Sequence, residues 1–263
     1  MSDTAQNARK QTGQRQTAQK QTGKVEVGRE EDHHPYYRPK DAATLILIDR
    51  SGAVPKVLVG KRSDRVVFMP GKYVFPGGRV DPNDNKIPVA APLPPELTAN
   101  LAKGSPKTPA SRARALATAA IREACEETGL CLGKSTGAVK PLLGVWKSFS
   151  DASLLPDPSS LFLIARAITP PGRVRRFDTR FFTADASAIT HKVEGVVHAD
   201  AELVELVWVE IGSEPLADAH AMTKNVLREL GKRLATGPLR HDADVPFYHW
   251  VGDRMQMDML PGA

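Results

Sequence analysis

Three carboxylates gather near the end of one candidate helix, in the stretch Arg122-Glu123-Ala124-Cys125-Glu126-Glu127-Thr128-Gly129-Leu130. At about 100° per residue, Glu127 falls roughly 40° to one side of Glu123 and Glu126 roughly 60° to the other. All three share one face, while Ala117, Ile121, Ala124, Cys125 and Thr128 form the packing arc. The placement is locally unfavourable. Like charges three and four residues apart repel, and acids in the last turns oppose the helix dipole, at a combined cost on the order of 1–4 kcal/mol. Arg122 can neutralise one of these charges. A hard divalent cation, Mg²⁺ or Mn²⁺, would neutralise the others, because such ions take carboxylate oxygens. The competing expectation is a plain acidic face turned to solvent.

The helix carrying these acids is expected to begin at Thr108-Pro109, a capping Thr before Pro at the first position, and to stop before Gly129. Upstream, Ala43–Asp49 and Lys56–Lys61 read as a hairpin about Arg50–Ala53. Tyr73-Val74-Phe75 reads as a strand ended by a sharp turn at Pro76-Gly77-Gly78. Seven prolines between Asp81 and Pro109 mark an irregular insertion with at most a short helix near Glu96–Lys103, suited to covering a site. Further strands are expected around Leu142–Trp146, Leu161–Ile168, Phe177–Thr183 and Leu203–Val209. A last helix from Ser213 to Ala235 has Met222, Val226 and Leu230 at four-residue spacing. That order predicts a mixed α/β sandwich and not an alternating βαβ fold.

Of the 263 residues, 41% are hydrophobic and 25% charged, which suits a folded domain and excludes a wholly disordered or fibrous chain. No apolar run approaches the ~18 residues of a membrane span, and the first residues hold no apolar signal stretch. A cytoplasmic protein with no membrane partner is expected. The net charge is +6, but Arg9, Lys10, Arg15, Lys20 and Lys24 against Asp3 place +4 of it in residues 1–24. A nearly neutral body gives no footprint for nucleic acid. Residues 1–34 are expected to be a disordered tail, built on three basic-Gln-Thr pentapeptides between Lys10 and Lys24. Cys125 and Cys131 are expected to be reduced thiols in or near the core. The seven histidines show no metal-ligand spacing, and the absence of a nucleophile-elbow pattern argues against covalent catalysis.

The stretch from Arg122 to Leu130, with Phe75-Pro76-Gly77-Gly78 before it, resembles the signature of the Nudix hydrolases. That signature runs Gly, five residues, Glu, seven residues, then Arg-Glu-aliphatic-x-Glu-Glu-x-Gly-aliphatic. The second half matches here at every fixed position, and Gly78 would open the first. There are two departures. Gly78 and Arg122 stand 44 positions apart where the signature has 14, an insertion of 30 residues. The position eight before Arg122, where counting back places the signature Glu, is Arg114. In the family that Glu is mainly the salt-bridge partner of the Arg, and Asp81, Asp84 and Glu96 are its candidate replacements.

The resemblance implies a Nudix-type α/β/α sandwich with a mixed sheet, the domain covering 35–240, a Pro-rich insertion at about 82–108 and an extension over 241–263. It implies metal-dependent hydrolysis of a phosphoanhydride in a nucleoside diphosphate linked to another moiety. Mg²⁺ or Mn²⁺ would be held by the carbonyl of Gly77 and by Glu126 and Glu127. Glu123 would be a third ligand or the base, and Arg122 would orient the carboxylates. The family often adds one catalytic acid from a distant loop; Glu202 and Glu205 are the candidates, with Glu202 preferred as nearest the strand start. Arg62, Arg65, Arg175, Arg176 and Arg180 are candidate phosphate binders, since a planar fork suits that group.

The place of the insertion, with Ile168–Gly172 and Arg176–Phe182, is similar to the branch of that family that cleaves coenzyme A and acyl-coenzyme A. Those are the favoured substrates, ahead of ADP-ribose, dinucleotides and nucleotide sugars. The rival reading is a Nudix-fold sensor that binds a nucleotide derivative without cleaving it. The implied partner is a small-molecule nucleotide, and a second copy of the chain is compatible with the family.

Overall fold

The first long apolar run sets the architecture, because it is buried on both sides. The computed structural model of the protein describes residues 37–66, 70–103, 110–173, 175–213, 216–217 and 219–263. The tail at 1–34 and the Thr108-Pro109 helix start lie outside them. In β1 (Lys40–Asp49), Ala43, Leu45 and Leu47 enter one core while Ile46 and Ile48 enter a second. A strand apolar on both faces requires a layer on each side of its sheet.

β2 (Lys56–Arg62) returns antiparallel to β1 but pairs with it only at Ile48 and Asp49. β3 (Tyr73–Val74) lies on β2. The chain then crosses to β4 (Gly77–Arg79), which pairs with β1 through Ala42–Thr44. The sharp turn expected at Gly77-Gly78 is therefore a short strand. The early half of β1 is left open by β2, and β4 fills that edge.

There follow α1 (Pro95–Ala102), α2 (Ala110–Thr128), β5 (Leu130–Ser135), α3 (Trp146–Asp151), β6 (Leu154–Pro156), β7 (Phe162–Ile168) and β8 (Phe177–Asp185). The rest comprises β9 (Ile189–Lys192), β10 (Leu203–Glu210), α4 (Ala221–Thr236), β11 (Val245–Val251) and β12 (Arg254–Leu260). The large sheet runs β10-β2-β1-β8-β7-β11-β12, with β1–β8 and β7–β11 parallel and the other neighbours antiparallel. A smaller sheet has the order β6-β5-β9. Leu97 and Leu101 of α1 and the Ala-rich face of α2 pack with Leu45 and Leu47. Val226, Leu227 and Leu230 of α4 pack with Ile46 and Ile48. Helices cover both faces of a mixed sheet, as expected for an α/β/α sandwich. Among the described residues no helix is long and apolar enough to cross a membrane.

Three local expectations are corrected. Leu142–Trp146 is not a strand: Gly144 has φ +63° and Trp146 opens α3, where Trp146 and Phe149 put their rings together three residues apart. α4 begins at Ala221 and not at Ser213, with a His220 ring nitrogen accepting from the Met222 N–H. Cys125 and Cys131 are buried as expected but are joined in a disulfide, not reduced. Gly129, at φ +75°, reverses the chain just past α2 and brings Cys131 of β5 back under Cys125.

Candidate functional site

α2 is built to sit close on β1. Ala113, Ala115, Ala117, Ala119, Ala120 and Ala124 are all buried, and alanine favours the helix while keeping the approach short. The helix presents Arg122, Glu123, Glu126 and Glu127 where β4 ends and the insertion begins.

Arg122 is the hub. Its Nε and Nη2 donate to the two oxygens of Asp84 at 2.9 and 3.0 Å. Its Nη1 donates to Glu123 at 2.7 Å and to Glu126 at 2.8 Å, and Nη2 also donates to the Arg79 carbonyl at 2.9 Å. Every donor of the guanidinium is thereby used. Burial works against its charge, but Asp84, Glu123 and Glu126 outweigh that and raise its pKa above the ordinary arginine value.

Asp84 answers the question left by Arg114. It is 1% exposed, begins a single 3-10 turn (Asp84–Lys86) and accepts the Asp81 N–H at 2.7 Å. Neither Asp81 nor Glu96 pairs with Arg122. The signal was present in the sequence: five residues separate Gly78 from Asp84, so the first half of the signature is intact with Asp in place of Glu. The insertion lies after it. Counting back from Arg122 misleads because α2 runs unbroken from Ala110, which sets Arg114 two turns, or about 12 Å, above Arg122. Arg114 donates instead to the Ile87 carbonyl of the insertion.

Glu123 lies against Gly78, where a Cβ would stand 2.6 Å from its Oε2. Burial raises the Glu123 pKa, with Arg122 opposing. Gly78→Ala is expected to push this carboxylate aside, lowering stability by about 1–3 kcal/mol in urea denaturation. A variant as stable as wild type would mean that Glu123 moves freely.

Glu127 accepts the Gly77 N–H at 3.1 Å. Its pKa is pushed up to about 8, first by burial and then by the charges of Glu202 and Glu123, against the Gly77 bond and Arg62. Gly77 thus meets the acids through its N–H. Glu202 is brought into the group, held by Arg62 Nη2 at 2.9 Å, while the Ser63 N–H donates to its carbonyl. Glu205 sits exposed on β10 opposite Lys61.

Of the candidate phosphate binders, Arg62 alone stands at the acids. Arg65 pairs with Asp200, Arg175 is exposed, Arg176 donates to the Thr169 and Tyr37 carbonyls, and Arg180 is buried beside Asp178.

Among the described residues, the basic ion-pair or charge contacts of Asp84, Glu123, Glu126, Glu127 and Glu202 are only Arg62 and Arg122. An all-oxygen donor set with excess negative charge fits a hard divalent cation. Among the described residues no three such side chains already converge on one point, since Glu123 and Glu126 turn to Arg122. Binding therefore requires side-chain rotation.

No protein-family model matches the chain, and no curated protein does. Solved structures do. The chain is similar to a NUDIX hydrolase from Alicyclobacillus acidocaldarius, with 27% identity over 77% of this chain and 86% of that one, at a TM-score of 0.47. It is similar to a C. elegans Ap4A hydrolase at 14% identity, covering 75% and 98% of the chains, TM-score 0.40. The NUDIX domain of Shewanella oneidensis NrtR, solved with ADP ribose, aligns at 13% identity over 76% and 90%, TM-score 0.40.

Proposed function

We propose that this protein is a Nudix pyrophosphohydrolase that cleaves a phosphoanhydride in a nucleoside diphosphate linked to another moiety. The observation that carries the reading is the Asp84–Arg122 clamp, which holds Glu123 and Glu126 beside a half-buried Glu127 whose pKa stays raised despite Arg62. A solvated acidic face has no use for a buried arginine hub.

Glu126 and Glu127 are the proposed ligands of Mg²⁺ or Mn²⁺, with Glu202 and the Gly77 carbonyl as further donors. The cation, when bound, screens the phosphate oxygens and acidifies water. Glu123, confined by Gly78 and Arg122, holds a carboxylate oxygen where it accepts a proton or joins the ligand set. Arg122 orients carboxylates and stays off the substrate. Arg62, paired with Glu202 at 2.9 Å, is the proposed phosphate contact once released from it. Coenzyme A or an acyl derivative is the favoured substrate, with ADP-ribose and dinucleotides next. A cytoplasmic setting completes the reading.

Product analysis by mass spectrometry tests it. Coenzyme A, an acyl-coenzyme A, ADP-ribose, NADH and a nucleotide sugar are offered separately with Mg²⁺ or Mn²⁺. Coenzyme A is expected to give 3′,5′-ADP and 4′-phosphopantetheine, with the rate lowered in Glu126→Gln. Cleavage of another member keeps the chemistry and discards this substrate. No cleavage with either metal favours the sensor.

A further inference from the structure

Apart from the carboxylate cluster, a cavity of about 550 Å³ lies between the start of β1, the loop after β4 and the first turns of α2. Its wall carries Lys40, Arg79 and Arg112 against Asp41 and Asp81. Those acids are already engaged. Arg112 holds Asp41 through two hydrogen bonds, and the Asp81 carboxylate accepts the Asn83 N–H at 2.8 Å. Lys40 and Arg79 are exposed, and neither side chain has an ion-pair partner among the described residues.

Behind Asp41 the positive excess deepens. Arg180 is 1% exposed, with Nη1 2.8 Å from Asp178 and 3.5 Å from Asp41, and its Nη2 finds no hydrogen-bond partner among the described residues. Asp178 is shared with Arg166, which grips it at 2.8 and 2.7 Å. Burial, together with the nearby Arg166 and Arg112 charges, holds the Arg180 pKa down to about 10 against the pull of both acids. Counting the residues behind Asp41, five cations stand against three acids, of which Lys40, Arg79, Arg112, Asp41 and Asp81 line the cavity.

We propose that this cavity binds a phosphomonoester dianion, with Lys40 and Arg79 as its direct contacts. A dianion matches the excess charge, and exposed cations at the rim can reach it without breaking a buried pair. The cavity shares a wall with the carboxylate site. Arg79 follows Gly78, which touches Glu123, and the Arg79 carbonyl accepts from Arg122. The phosphate comes either from the substrate itself, as a phosphomonoester separate from the cleaved anhydride, or from free phosphate. The first source rests on the hydrolase reading; the pocket does not.

Two measurements on the full chain separate these. Inorganic phosphate is titrated calorimetrically in the presence of chelator, against wild type, Lys40→Ala/Arg79→Ala and Glu126→Gln. Affinity is expected to fall roughly tenfold or more in the double variant, the size of a lost charged hydrogen bond, and to persist in Glu126→Gln. In parallel, kcat/KM is compared for coenzyme A and dephospho-coenzyme A. A preference for coenzyme A, carried in KM and lost in the double variant, assigns the pocket to the substrate. Phosphate binding without that preference assigns it to the free anion. If neither substrate turns over while phosphate binding still depends on Lys40 and Arg79, coenzyme A is discarded as the substrate and the pocket stands. Phosphate that does not bind, or binds the double variant as tightly, overturns the proposal.

Discussion

Asp84→Ala is expected to lower the unfolding free energy by about 3–5 kcal/mol, because it leaves a buried guanidinium without its main partner. The Arg122 side chain is 12% exposed and that of Asp84 1%, so water cannot take over the lost bonds. Glu123 and Glu126 remain on Nη1, which places the effect toward the lower end of that range. Freed from Asp84, the guanidinium is drawn onto these acids, and activity should fall further than the loss of folded protein explains. Asp84→Glu, which restores the residue type of the signature, should recover most of both. Urea denaturation with parallel turnover assays checks this. A change within about 0.5 kcal/mol, the range of ordinary surface substitutions, would remove Asp84 from its proposed role.

With divalent cations chelated, the protein is expected to lose stability as pH rises through the neutral range. Glu127 keeps its proton in the folded state up to about 8, whereas its ordinary value is 4.5. Between those values the folded state binds more protons than the unfolded, so unfolding free energy falls with rising pH. Below about pH 4.5 both states are protonated and the effect vanishes. At pH 9 it reaches on the order of 5 kcal/mol when the whole shift is expressed. Glu127→Gln should flatten this slope and be more stable than wild type at pH 9 without metal. Mn²⁺ should restore wild type at high pH and do little for the variant. Thermal melting across pH 5–9 tests all three statements. A wild type that melts higher at pH 9 than Glu127→Gln in chelator would show that the acid is solvated.

The acidic helix was legible because its meaning is local. A 3.6-residue period, an ending glycine and three acids on one face are all read within nine residues of sequence. Asp84 was equally legible by counting forward from Gly78, but a fixed spacing counted backward fails once 37 residues separate Asp84 from Arg122. Leu142–Trp146 misled because an apolar run has no period long enough to separate a strand from a helix start. The hairpin of β11 and β12 carried a readable signal, Gly252-Asp253 between alternating residues such as Met255, Met257 and Met259. The disulfide had none: only the reversal at Gly129 brings Cys131 back to Cys125.

The parallel pairing of β1 with β8 also sets the order in which the chain can be made. Lys40 finds its partner in Phe177, 137 positions later. At roughly 5–20 residues per second, a ribosome needs on the order of 7–27 s to supply that partner. Throughout that interval the apolar run Leu45–Ile48 has only β2 and β4 beside it, and one edge of β1 stays open. Such an edge invites pairing with other chains. A nascent chain of this protein is therefore most vulnerable to misassembly before Asp185 leaves the ribosome, whatever the stability of the finished fold.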